Sequence, residues 1–318
     1  RGWATAMVDY HIPVLREEVL HYLNAGDKHL IVDGTIGDGG HAEAILQNSG
    51  PQCRVLGIDR DAEALARARK RLAPFGERII LVHGNYSEIQ SILAQRNIQG
   101  IDGWLLDLGV SSRQLDTPER GFSFMHDGPL DMRMDREDTT TAADLLETLS
   151  DKELEDIIKH YGEERHYKKI VRFIRKAQGK GPLSTTASLA RILSSAAKQP
   201  RPARIHPSTR TFQALRIAVN RELDHLQTAL SDSLNILNAA ARLVVISFHS
   251  LEDRIVKRFI HDEEKGCICP PKTPVCICGK KSRLKKVTRR VVTPSAEEVR
   301  LNPRASSSKL RVAERIYV

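Results

Sequence analysis

An apolar run at His29–Ile36 carries an aspartate and dissolves into glycines: Asp33-Gly34-Thr35-Ile36-Gly37-Asp38-Gly39-Gly40-His41. A strand that enters a glycine-rich turn and then a helix, over about 41–48, narrows the choice of folds sharply. Glycines let the backbone turn tightly and approach a ligand, and the helix start that follows presents unpaired N–H groups to it. The same rhythm continues downstream. Arg54–Asp59 reads as a second strand and the Ala/Arg-rich run 61–72 as a second helix. Ile79–His83 and Trp104–Leu108 are further apolar runs, separated by an amphipathic stretch near 87–96. Alternation at this spacing implies βαβ units, right-handed crossovers and a parallel sheet covered on both faces.

The rhythm stops after Ser112. Residues 113–138 are rich in Arg, Asp, Gly and Pro, and helical patterns follow. Ser150-Asp151-Lys152-Glu153 is a capping-box signature, with Leu154, Ile157, Ile158 and Tyr161 at helical spacing behind it. A helix is expected over 186–197, and a longer one carrying Phe212, Leu215, Val219, Leu223, Leu226 and Leu230. Strand character returns at Arg242–Phe248, with a helix from Ser250; 284–293 and 309–318 are candidates to close the sheet. The expected architecture is one discontinuous α/β domain, 1–113 and 211–318, interrupted by an all-helical insertion over 114–210.

The turn poses a choice of cofactor. Gly37-x-Gly39-x-x-Ala42 satisfies the dinucleotide fingerprint, and Asp59, at the end of the second strand, can hold the two ribose hydroxyls that both NAD and S-adenosylmethionine (SAM) possess. Two carboxylates favour SAM. Asp33 precedes the glycines, where it can meet an ammonium and would repel a pyrophosphate. Asp107 heads Asp107-Leu108-Gly109-Val110-Ser111-Ser112 at the C-terminal end of the fourth strand, where open α/β sheets bind ligands.

Charge narrows the partner. Of 318 residues with net charge +9, positions 265–318 hold 14 Lys/Arg against 3 Asp/Glu, leaving 35 basic and 37 acidic side chains elsewhere. A basic pole on a near-neutral body suits a polyanion, since neutralised phosphates release condensed counterions; a solvated basic surface is the plainer alternative. No apolar run reaches the length of a membrane span and no signal-peptide pattern is visible, so a cytoplasmic protein is expected.

With these segments placed, the chain resembles the RsmH (MraW) family of 16S ribosomal RNA cytosine-N4 methyltransferases nearly end to end. The resemblance is carried by His11-Ile12-Pro13-Val14-Leu15, Asp33-Gly34-Thr35 through His41, Gly57-Ile58-Asp59-Arg60-Asp61 and Asp107–Ser112. It continues in Arg120-Gly121-Phe122-Ser123-Phe124, Gly128–Met134, Asn220-Arg221-Glu222-Leu223, Ser247–Arg254 and Asn302-Pro303-Arg304. It implies a Rossmann-like class I SAM-dependent methyltransferase sheet with an inserted all-helical domain that recognises RNA. Cofactor contacts carry over to Gly39, Gly40, His41, Asp59, Tyr86, Asp107 and Gln114, beside Asp33 and Gly37 from the residue reading. Tyr86 stands where the family often has Phe, and Ser306 where Arg is usual. The implied substrate is a cytidine near the decoding site of small-subunit 16S RNA, and a homodimer is compatible with the resemblance.

The exocyclic amine of cytosine is a poor nucleophile, because its lone pair is delocalised into the ring. Asp107 and Ser111 are candidate acceptors for its protons. Phe248 is placed to stack on an unstacked base. His249 is a candidate proton acceptor or phosphate contact, or else a helix-start residue; Ser250-x-x-Asp253 reads as the capping box beside it. Arg120, Arg133 and Arg136 are candidate phosphate guides, with solvated surface as the alternative, and Arg254 and Arg304 lie in motifs the resemblance assigns to RNA.

Cys267-x-Cys269 and Cys276-x-Cys278 suggest zinc rather than disulfides, yet C-x-C is not the common C-x-x-C knuckle and the resemblance requires no metal. No metal is therefore assigned, and reduced thiols or an adventitious disulfide are the alternatives. Two other functions fit parts of the pattern: an NAD-dependent oxidoreductase on the fingerprint, and a non-catalytic RNA-binding assembly factor on the basic tail.

Overall fold

A computed structural model describes residues 13–197, 206–270, 275 and 277–316. His11 and Ile12 of the first motif and Cys276 lie outside the described residues. The chain divides into two compact units, Arg1–Gly109 with Asp224–Val318, and Val110–Leu223.

The first unit opens with α1 (Arg16–Leu23), β1 (Leu30–Asp33), α2 (Gly40–Gln47), β2 (Arg54–Asp59) and α3 (Ala62–Leu72). It continues with β3 (Ile79–His83), α4 (Ile89–Ala94) and β4 (Ile101–Asp107). The second unit holds α5 (Ser112–Asp116), α6 (Ala142–Thr148), α7 (Asp151–His160), α8 (Tyr167–Gln178), α9 (Thr186–Ala196) and α10 (Ser208–Asn220). The chain then runs through α11 (Glu222–Ile236), β5 (Leu237–Ser247), α12 (Ser250–Glu264), β6 (Leu284–Lys286), α13 (Ala296–Leu301) and β7 (Lys309–Arg315).

The seven strands lie in the order β3-β2-β1-β4-β5-β7-β6, a Rossmann-like sheet. The first five are parallel, and β7 is antiparallel to both β5 and β6. Alternate residues of each strand serve opposite faces. Ile31, Val55 and Leu105 join α1, α2 and α3 in one core, with Val19, Ile45 and Leu65. Val32, Leu56, Trp104 and Leu106 join α4, α11 and α12 in the other, with Ile92, Leu230 and Val256. Covering both faces explains why the strands read as continuous apolar runs.

Two expectations change. The helix drawn through 212–230 is two helices, because Arg221 adopts the left-handed conformation (φ 50°) between α10 and α11. The side chain of Asn220, fully buried, accepts from the Met134 amide (2.8 Å) and donates to the Met132 carbonyl (2.7 Å) at that end. The helical region is also wider than 114–210. Phe212 and Leu215 of α10 are buried with Leu146, Ile158, Ile174 and Leu189, so α10 belongs to the second unit's core.

Candidate functional site

The register of the sheet assembles the site. Asp33 pairs with Gly57 of β2 and Leu105 of β4, so the C-terminal ends of β1, β2 and β4 reach the same edge. Asp33, Asp59 and Asp107 are the last residues of these three strands. The glycine turn is tied across them. Gly34 N–H donates to the Leu105 carbonyl (2.9 Å), Ile36 N–H to the Ile58 carbonyl (3.0 Å), and Asp107 N–H to Thr35 Oγ1 (2.7 Å).

Two glycines are required by geometry. At Gly57 a Cβ would come within 2.0 Å of Ile36 Cδ1, so a side chain there would displace the buried Ile36 that packs the turn over β2. Gly39 caps α2 at φ 84°, where side chains are strained, and a Cβ there would also sit 3.0 Å from Leu72.

The carboxylates are unequal. Asp59 accepts the Gly37 amide at 2.8 Å on one oxygen and the Asp61 amide at 2.9 Å on the other. Loss of hydration still lifts its pKa to about 6 against those two bonds. Asp33 is almost fully buried; Oδ1 accepts the Thr35 amide at 3.2 Å, while Oδ2 is buried with no partner. Burial pushes this carboxyl up to about 7; His41 and the Thr35 amide pull it down, and Asp107 and Asp59 push it further up. Asp107 holds Oδ2 3.5 Å from His41 Nε2, a contact too long to make a hydrogen bond, and its Oδ1 is buried without a partner. Both ring nitrogens of buried His41 likewise lack one. Native interiors rarely leave such groups unpaired, so this cluster has the character of a ligand site. The unpaired carboxylate oxygens suit a cation and bound hydroxyls, and they suit a pyrophosphate poorly. Tyr86, half-buried beside the second core, begins a short turn capped by Asn85.

At the end of β5, Phe248 is half-buried, and its ring would lie 3.7 Å from a Cβ at Gly109. The cap of α12 is His249, not Ser250: His249 and Glu252 form the capping box. Glu252, buried, accepts the amides of Phe248 (2.8 Å) and His249 (3.2 Å), and Oε1 lies 3.1 Å from His249 Nε2. Asp253, expected to complete the box, instead pairs with Arg311 at 2.7 Å. Thr35 and Glu252 are the positioning residues that sequence reasoning passed over. The signals were present in Asp33-Gly34-Thr35 and His249-x-x-Glu252, but each needed a long-range partner or a choice of register.

Within the helical unit, Ser111 caps α5 by accepting the Gln114 amide, and Gln114 accepts the Ser111 amide at 3.0 Å. Gln114 is buried. Arg120, a candidate phosphate guide, is buried rather than part of a solvated surface. It is 3% exposed, and its guanidinium donates to the carbonyls of Arg133 (3.1 Å) and Met134 (2.8 Å). Arg133 is engaged in the same loop, with both oxygens of Asp131 at 2.8 Å and the carbonyls of Arg136 and Asp138. These two arginines hold the irregular segment 118–138 together. Arg254 and Arg304 stay exposed on the first unit. The basic tail is partly neutralised: Arg283 pairs with Glu263, Lys286 with Glu264, and Lys309 and Arg311 with Asp253.

The chain is similar to known proteins along nearly its whole length. A family model described as the MraW methylase family matches residues 9–316. A protein of Geobacter sp. (strain M21) named ribosomal RNA small subunit methyltransferase H is 51% identical over 308 residues, covering 96% of this chain and 99% of its own. The like-named protein of Geobacter sulfurreducens is 52% identical over 96% of this chain and 99% of its own. That of Syntrophotalea carbinolica is 50% identical over 98% and 100%. A solved rRNA methylase from Streptococcus thermophilus covers 95% of this chain and 94% of its own at TM-score 0.42 and 10% identity, a likeness that says nothing about chemistry.

Proposed function

This chain belongs to the MraW methylase family, and from that premise we propose that it transfers a methyl group from SAM to the exocyclic N4 of a cytidine in small-subunit 16S ribosomal RNA, near the decoding site. The observation that carries the cofactor reading is the convergence of three strand-end carboxylates on the glycine turn, two of them with buried oxygens lacking a partner. Asp33 Oδ2 is suited to the cofactor's ammonium and Asp59 to its ribose hydroxyls, with Tyr86 beside the adenine. Gly37, Gly39, Gly40 and His41 form the turn against which the cofactor is held. Bound there, SAM supplies an electrophilic methyl on a sulfonium.

The chain's own task is to present the amine. Asp107 ends β4 with Oδ1 lacking a hydrogen-bond partner, which suits it to accept a hydrogen bond from the amine and favour the pyramidal nitrogen whose lone pair attacks. Thr35 Oγ1 holds the Asp107 backbone amide, and the His41 ring lies beside Oδ2. No strong base is needed, because the methylated ammonium is very acidic. Phe248 offers a ring for the unstacked base, and His249, held at the start of α12 by Glu252, orients that turn. Ser111 is a further candidate acceptor for the amine. Gln114 is a further candidate cofactor contact. Arg254 and Arg304 supply phosphate contacts, and the helical unit supplies RNA recognition. Among the described residues no helix is long and apolar enough to cross a membrane, and we place the reaction in the cytoplasm, on the ribosomal subunit, with a homodimer compatible.

Thermal-shift titration tests the cofactor directly, since a ligand of the native state raises the melting temperature with concentration. SAM is expected to stabilise and NAD to leave the midpoint unchanged; the reverse result defeats the reading. Asp107→Ala is expected to keep the fold and lose methyl transfer, and turnover at the wild-type rate would remove Asp107 from the mechanism.

A further inference from the structure

Between α12 and β6 the chain leaves the sheet unit and returns at a closed base. Arg283 N–H donates to the Glu263 carbonyl at 2.9 Å, and the Arg283 guanidinium meets the Glu263 carboxylate at 2.6 Å. Among the described residues of 264–283 none is buried, and Ile268 and Ile277 are 65% and 83% exposed. The described residues of this excursion form no apolar core of their own. Where a stretch of chain cannot bury a core, a cross-link or a metal is one way to fix it, as in small domains.

Three thiols meet there. The sulfurs of Cys267 and Cys269, on the outgoing arm, and Cys278, on the returning arm, all lie within 4.8 Å of one another. Cys267 Sγ and Cys278 Sγ are 3.7 Å apart. A tetrahedral zinc site with Zn–S near 2.3 Å has sulfur–sulfur edges of about 3.8 Å, whereas a disulfide needs about 2.05 Å. Backbone amides point at the sulfurs: Cys269 N–H lies 3.4 Å from Cys267 Sγ, and Ile268 N–H 3.4 Å from Cys278 Sγ. Such donors spread the charge of metal-bound thiolates.

We propose that Cys267, Cys269 and Cys278 bind one structural zinc ion that clasps the two arms of this basic excursion. The three thiolates provide three corners of a tetrahedron, and a water or a further thiol completes it. Binding releases the thiol protons and leaves the metal without a redox role. The clasp lies outside the cofactor turn and contributes no group to methyl transfer.

Full-length protein reconstituted with zinc chloride, passed through gel filtration and analysed for metal is expected to retain about one zinc per chain. The triple variant Cys267→Ser, Cys269→Ser, Cys278→Ser is expected to retain almost none while binding SAM as the wild type does. Cobalt in place of zinc is expected to show a thiolate-to-metal charge-transfer band that the variant lacks. Zinc in fewer than about one chain in ten, equal zinc in wild type and variant, or a Cys267–Cys278 disulfide in place of metal would overturn the proposal.

Discussion

Replacing Asp33 with Asn separates what this carboxylate does to the fold from what it does for the ligand. In the cofactor-free protein its pKa stands at about 7 against an ordinary 3.8, because burial penalises the charged form. The native state therefore keeps a proton that the unfolded chain releases, and stability falls as pH rises from about 4 through 7. Integrating that difference, wild type loses roughly 2–3 kcal/mol more than Asp33→Asn between pH 5 and pH 8. Urea unfolding of cofactor-free protein at both pH values reads this directly. The variant's stability relative to wild type should improve by roughly 2–3 kcal/mol from pH 5 to pH 8. Comparing the two pH values cancels whatever the amide itself costs. The ligand side runs the other way: a cation beside Oδ2 favours ionised Asp33, so SAM binding by wild type should release a proton near pH 6 and strengthen towards pH 7. Asp33→Asn should show neither effect. A stability difference between variant and wild type that is the same at pH 5 and pH 8 would refute the desolvated carboxylate.

Arg120→Ala should lower stability by about 1–3 kcal/mol, by leaving two buried carbonyls without their donor, while the salt dependence of RNA binding stays unchanged. A smaller salt slope with unchanged stability would restore Arg120 as a phosphate contact. Arg254→Ala with Arg304→Ala should instead reduce the slope of log affinity against log salt by about 1–2. Trp104→Ala, at a fully buried position in β4, should cost about 3–5 kcal/mol in urea unfolding. Asn220→Ala should destabilise by about 1–3 kcal/mol, since it strands the Met134 amide and the Met132 carbonyl together.

The sheet and its ligand edge were legible because their signals are local. Strands buried on both faces read as apolar runs, and a carboxylate closing three of them marks the edge in the sequence itself. The surroundings were less legible because they depend on distant partners. Arg120 and Arg133 look alike in sequence whether they face solvent or span carbonyls, and only the path of 118–138 decides. The apolar spacing that joined Phe212 to Leu230 continues in phase across Arg221, so nothing periodic announced the break. At α12, His249-x-x-Glu252 and Ser250-x-x-Asp253 are both capping patterns, and the choice fell to Arg311, which draws Asp253 away.

The most direct measurement of the proposed reaction is incubation of small ribosomal subunits lacking the modification with methyl-labelled SAM, followed by digestion of the RNA and nucleoside analysis. The account predicts label in N4-methylated cytidine from wild type and none from Asp107→Ala. Label in ribosomal protein, label in another nucleoside, or no transfer from protein that demonstrably binds SAM would contradict it.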